Sequence, residues 1–127
     1  MTTVELRKFL INEKYLKDWV FNGTWSWNDD GSVSVDGSVC LMSVCDKLPF
    51  KFKTVTGSFN CNDTGLETLE NCPDEVGTVF YCSRNNLKNL DFAPKKVGRD
   101  FFCTGYEGRF TVEEIKKICK TKRIFLR

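Results

Sequence analysis

Residues 57–97 read Gly57-Ser-Phe-Asn-Cys-Asn-Asp-Thr-Gly-Leu-Glu-Thr-Leu-Glu-Asn-Cys-Pro-Asp-Glu-Val76, followed by Gly77-Thr-Val-Phe-Tyr-Cys-Ser-Arg-Asn-Asn-Leu-Lys-Asn-Leu-Asp-Phe-Ala-Pro-Lys-Lys-Val97. A step of 21 relates Cys61 to Cys82 and Cys103, Phe59 to Phe80 and Phe101, Leu66 to Leu87, Leu69 to Leu90, and Pro73 to Pro94. A fixed step across so many apolar positions marks a solenoid, in which units stack because none can bury its apolar edge alone. Each repeat then supplies a short strand to a parallel ladder, and successive side chains face opposite ways. With Phe59/Cys61, Phe80/Cys82 and Phe101/Cys103 inward, three rows point outward: Ser58, Asn60 and Asn62; Val79, Tyr81 and Ser83; Asp100, Phe102 and Thr104. Ser38, Cys40 and Met42 form the corresponding row of an irregular first repeat.

Upstream, Leu48 to Leu69 is again 21 but Pro49 to Pro73 is 24, so extra residues sit near Phe50-Lys-Phe52. Thr24-Trp-Ser-Trp-Asn-Asp-Asp-Gly-Ser-Val-Ser-Val-Asp36 alternates on both sides of Asp30-Gly31 and predicts a β-hairpin. Trp25 and Trp27 share a face, either capping the first rung or forming a secondary exposed patch. Thr3 to about Phe21 carries apolar residues at helical spacing and predicts a helix stopped by Asn22-Gly23. Downstream, Thr111-Val-Glu-Glu114 has the capping-box form and predicts a helix over about Val112–Thr121, burying Val112, Ile115, Ile118 and Cys119. Arg123–Arg127 is a candidate last strand. The expected fold is an α/β, short repeat solenoid in a single domain. A helix-plus-hairpin cap spans residues 1–37, the repeat stack 38–104 and a helical cap 105–127.

The chain has 127 residues, 41% apolar, with net charge +2, so global charge names no partner. From Lys95 onward there are ten Lys/Arg against four Asp/Glu; Cys61–Pro94 holds two against six. There are seven cysteines and no histidine. The cysteines follow the repeat, with no CxxC pair, which speaks against a metal site. Stacked Cβ vectors run parallel, which speaks against a disulfide ladder. Cysteine as a small buried hydrophobe fits a narrow interior. No histidine is available as the base of a catalytic thiol, no phosphate-binding glycine loop occurs, and the acidic residues form no recognisable acid–base constellation. The sequence therefore predicts neither an enzyme nor a cofactor or small-molecule site. The N-terminus has no signal-peptide pattern and no membrane span is present, so a cytoplasmic, reducing setting is expected.

Phe80-Tyr-Cys-Ser-Arg-Asn-Asn-Leu87 has the form LxLxxNxL, with Phe and Cys at the first two leucine positions. With Leu90, Pro94 and Val97 it resembles the short bacterial leucine-rich repeat, over about Val39 to Cys103. The signature Asn stands only at Asn85; Thr64 and Tyr106 replace it one repeat either way, so a continuous Asn ladder is not expected. Gly65 and Asn86 are residue types that tolerate left-handed geometry. The Asp29-Asp-Gly-Ser-Val-Ser-Val-Asp-Gly37 lead-in, Leu48-Pro-Phe-Lys-Phe52 and the Phe-x-Cys repeats are also similar to a group of small proteins of tailed bacteriophages. The first resemblance implies protein binding through the outward strand face, at Asn60, Asn62, Val79, Tyr81, Ser83, Asp100, Phe102 and Thr104. Tyr81 and Phe102 would act as anchors unless a terminal element covers them. The second implies a bacterial host protein, a defence or metabolic factor, as the partner. The alternatives are nucleic-acid binding through Lys116, Lys117, Lys120, Lys122 and Arg123, or a virion accessory role.

Overall fold

The computed structural model describes residues 20–41 and 45–127, with side chains from residue 22. The helix predicted over Thr3–Phe21 lies outside the described residues except at its end, and Met42 lies outside them altogether. That end is corrected: Val20 and Phe21 belong to strand β1 (Val20–Trp27), which pairs antiparallel with β2 (Val33–Cys40). Nor do Asn22-Gly23 stop a helix. Gly23 sits opposite Gly37 in the hairpin, and a Cβ on either would collide with backbone of the other strand. The hairpin itself is as expected. Val33 and Val35 are buried, and Trp25 and Trp27 pack half-buried against the core.

The rest of the chain winds into a parallel β-solenoid. β3 (Phe52–Val55) and β4 (Phe59–Asn60) make one coil, β5 (Glu75–Val76) and β6 (Val79–Tyr81) the next, and β7 (Lys96–Val97) and β8 (Asp100–Phe102) the one after. β2 is long enough to start two ladders. One runs β2-β3-β5-β7, the other β2-β4-β6-β8-β9, where β9 is Arg123–Phe125. Only the second ladder is legible in the Phe and Cys columns of the sequence. The first was missed because β5 and β7 have two residues each, too few for alternation to register, although Val55, Val76 and Val97 keep the step of 21.

Between the ladders each coil turns a corner. There the Gly77 and Gly98 N–H groups donate to the Val55 and Val76 carbonyls, at 2.8 and 2.9 Å. A Cβ on Gly77 would strike the Thr56 carbonyl, and one on Gly98 the Gly77 carbonyl, so the corner needs glycine to let coils approach this closely. Inside run Phe52, Phe59, Phe80 and Phe101, with centroids 5.1, 6.1 and 5.1 Å apart, and Leu48, Leu66, Leu69 and Leu87, all with no exposed surface. Each such ring contributes about 1.5–3 kcal/mol of burial free energy.

The equivalent positions Thr64, Asn85 and Tyr106 form a polar spine. Asn85 Nδ2 donates to the Cys61 carbonyl at 2.7 Å, and its Oδ1 accepts from the Thr64 N–H at 2.8 Å. Thr64 Oγ1 donates to the Cys61 carbonyl at 2.8 Å and the Tyr106 hydroxyl to the Cys82 carbonyl at 2.6 Å. An Asn ladder is indeed absent here, but three different side chains carry the same job of satisfying turn carbonyls. Gly65 is left-handed at φ +78°; Asn86 is not among the left-handed residues. A left-handed position that recurs in three successive coils is instead Asp63, Arg84 and Gly105, at φ +56°, +54° and +87°.

The C-terminal cap is less helical than expected. Thr111 accepts from the Glu114 N–H at 3.1 Å and starts helix α1 (Val112–Ile118), which ends three residues before Thr121. Cys119 is already extended and buried, and Lys120 bridges in parallel to Lys96. β9 then stacks on β8, so residues 119–125 return to the solenoid as a further rung. Because α1 stops early, Ile115 and Cys119 are buried, Val112 is half-buried, and Ile118 is 41% exposed instead of buried.

Candidate protein-binding face

The register of the second ladder sets the outward columns. Asn60, Tyr81, Phe102 and Phe125 stand in one line, and Val79, Asp100 and Arg123 in another. Tyr81 and Phe102 stack at 5.2 Å and 18°, and Phe102 and Phe125 at 4.5 Å and 10°. All three rings are half-buried. Parallel in-register strands bring like side chains to nearly the same spacing as the backbone, so rings on successive rungs stack face to face. Phe125 was not among the candidate residues. Its step from Phe102 is 23 instead of 21, because α1 lengthens the last coil.

The other candidates divide. Val79 is buried, as are Ser83 and Asp100. Asp100 is held by Arg123 through two bonds, Nε to Oδ1 at 2.8 Å and Nη2 to Oδ2 at 3.1 Å, while the same guanidinium lies 5.7 Å over the Phe125 ring. The carboxylate thus fixes the cation beside the end of the ring ladder. On the other flank, Asn62, Ser83 and Thr104 support the stack. The Ser83 N–H donates to Asn62 Oδ1 at 2.7 Å, and the Thr104 N–H to Ser83 Oγ at 2.9 Å. Asn60 Oδ1 accepts from the Asn62 N–H at 2.9 Å. The half-buried rings are therefore the large apolar surface of the face, flanked by the equally half-buried Asn60, Asn62 and Thr104.

The basic candidates Lys116, Lys117, Lys120 and Lys122 are exposed, and Arg123 is committed to Asp100. Arg84 and Asp63 form a separate exposed pair one coil apart, at 2.8 Å for both bonds, which raises the guanidinium's pKa and lowers the carboxyl's.

The interior holds the thiols. None of the seven cysteines is in a disulfide, and six are buried. Burial, then a hydrogen bond to the Cys72 thiol, pushes Cys61 well above the ordinary thiol range. Cys82 rises likewise, through burial and the Cys103 thiol. Burial pushes Cys45 and Cys119 up to about 11. Raised thiols are poor nucleophiles and poor metal ligands, because both roles need the thiolate. Among the described residues no cluster of three or more Cys, Asp or Glu side chains is arranged to hold a metal ion. No helix among them is long and apolar enough to cross a membrane. Compared with family models, curated proteins and solved structures, the chain matches none.

Proposed function

We propose that the protein is a non-catalytic binding module that engages another protein through the outward face of its second strand ladder. The observation that carries this reading is the half-exposed stack of Tyr81, Phe102 and Phe125, rigid on three rungs and bordered by the Asp100–Arg123 pair. Rigid aromatics lose little entropy on binding and are enriched among residues that dominate interface energetics. The buried, protonated thiols favour a non-catalytic role and, with no disulfide, fit a reducing compartment such as the cytoplasm. A bacterial host protein as partner, and its modulation or inhibition, rest on the phage-protein resemblance of the sequence alone.

The test is capture of partners from nuclease-treated bacterial lysate on tagged parent protein and on a Tyr81→Ala/Phe102→Ala variant. The reading expects one stoichiometric protein retained by the parent and lost by the variant, with both proteins folded. Equal retention by the two would refute it.

One observation favours a second reading, binding of single-stranded nucleic acid. The ring ladder ends beside Arg123, with exposed Lys122 one residue away, and stacking rings beside cations suit bases and phosphates. That reading expects binding that weakens steeply with salt and survives in no nuclease-treated sample.

A further inference from the structure

The return segment between β6 and β7 holds an aromatic that the fold does not need. Phe92 is 63% exposed and left-handed at φ +69°. One step of 21 earlier stands Asn71, also left-handed at φ +76°, whose Nδ2 donates to the Leu48 carbonyl at 2.8 Å. This corner of the coil therefore requires left-handed backbone. The previous coil meets the requirement with a residue type that tolerates it and also bonds its neighbour. Phe92 meets it with a bulky side chain that prefers other geometry and points at solvent. Strain retained at an exposed aromatic directs attention to what the ring touches outside the chain.

Beside Phe92 lies a cleft of about 710 Å³ between this segment and α1. Leu90, Ala93, Phe110 and Ile118 line it together with Phe92. Leu90 and Phe110 are nearly fully buried at its floor, and Ile118 is the other exposed large apolar side chain among the described residues. Charges of both signs surround this apolar centre: Lys88, Lys95 and Arg109 against Asp91 and Glu114.

We propose that this face is a self-association surface, in which Phe92 of each of two copies enters the cleft of the other about a two-fold axis. A projecting ring and a cleft occupy one patch, as an isologous interface requires, because the same surface must serve as both knob and hole. The mixed rim is complementary to itself, since an anion of one copy meets a cation of the other across the axis, whereas a rim of one sign would repel its own kind. A net charge of +2 leaves little overall repulsion between copies. The apolar centre is only a few side chains wide, so the association is expected to be reversible and concentration-dependent. It uses a different segment from the ring ladder and does not depend on the function proposed for that face.

Sedimentation velocity over a concentration series tests this with the parent, Phe92→Asn and Ile118→Lys proteins. The parent is expected to pass from monomer to dimer as concentration rises, and each variant to dimerise at least about tenfold more weakly. At dilution, where all are monomeric, Phe92→Asn is expected to melt a few degrees above the parent, because Asn suits left-handed backbone. A parent that stays monomeric at every concentration overturns the proposal. So does undiminished dimerisation of the variants, or a Phe92→Asn protein that melts below the parent, which would make the ring a structural part of the fold.

Discussion

Asn85 shows how much one polar side chain can hold in a solenoid. Its amide serves groups on the neighbouring coil: the Thr64 N–H, at 3.3 Å the Leu66 N–H, and the Cys61 carbonyl, which also accepts from Thr64 Oγ1. Replacement by Ala is expected to lower unfolding free energy by about 2–4 kcal/mol, since each buried group left unsatisfied costs about 1–3 kcal/mol. Asn85→Asp loses the donor but keeps the acceptor, and should fall between; urea denaturation of the three proteins checks the order. Phe80→Ala is expected to cost about 3–5 kcal/mol, because the ring is fully buried between Phe59 and Phe101. Arg123→Ala leaves the Asp100 carboxylate, 8% exposed, without its partner, and should destabilise without disturbing the coils before β8. Of these residues only Phe80 was legible from the repeat. Thr64 and Tyr106 were legible as the positions equivalent to Asn85, but not the bonding role that the three share, because three residue types doing one job leave no repeating letter in the sequence.

At the scale of elements, strands of two or three residues stand only because each coil supplies the next one's hydrogen bonds. Single strands this short have no independent stability. The inward face of the second ladder was legible because its Phe and Cys columns are large or uncommon and keep the step of 21. The first ladder was not, since its apolar column is one Val per coil, flanked by Glu75 or Lys96. β9 was legible as a strand but not in its register, because α1 shifts the step to 23 and thereby hides Phe125 as the third ring of the outward stack. The ring ladder contributes to stability as well as offering a surface, at about 0.5–1.5 kcal/mol per ring pair beyond burial. The Tyr81→Ala/Phe102→Ala protein is therefore expected to melt lower than the parent in a single transition while remaining folded at 25 °C, as circular dichroism would show.

At the scale of the whole molecule, the described residues form one stack with unlike ends. β1 closes the first coil by antiparallel pairing along its full length. At the other end β9 leaves a short edge carrying Arg123, with Lys122 and Arg127 beside it, and charge at an edge discourages strand addition by other chains. Coils that share one core should unfold together. Their thiols give that stability a pH dependence. Cys45 and Cys119 titrate near 9.0 when unfolded and near 11 when folded. Their contribution is therefore complete below pH 9 and is lost as pH rises from 9 toward 11, because the unfolded chain releases these protons first. Melting temperature should fall across that window, less steeply in a Cys45→Ala/Cys119→Ala protein than in the parent. An identical slope in both would show that these thiols are not the source.

The central claim is that the stacked rings of β6, β8 and β9 are the surface a partner covers. Hydroxyl-radical footprinting, which labels accessible aromatic side chains, addresses it directly, comparing the free protein with its complex with the captured partner. The account predicts that Tyr81, Phe102 and Phe125 label in the free protein and are protected together in the complex, while the rates at Trp25 and Trp27 are unchanged. Equal labelling of the three rings in both states, with protection elsewhere, would contradict it.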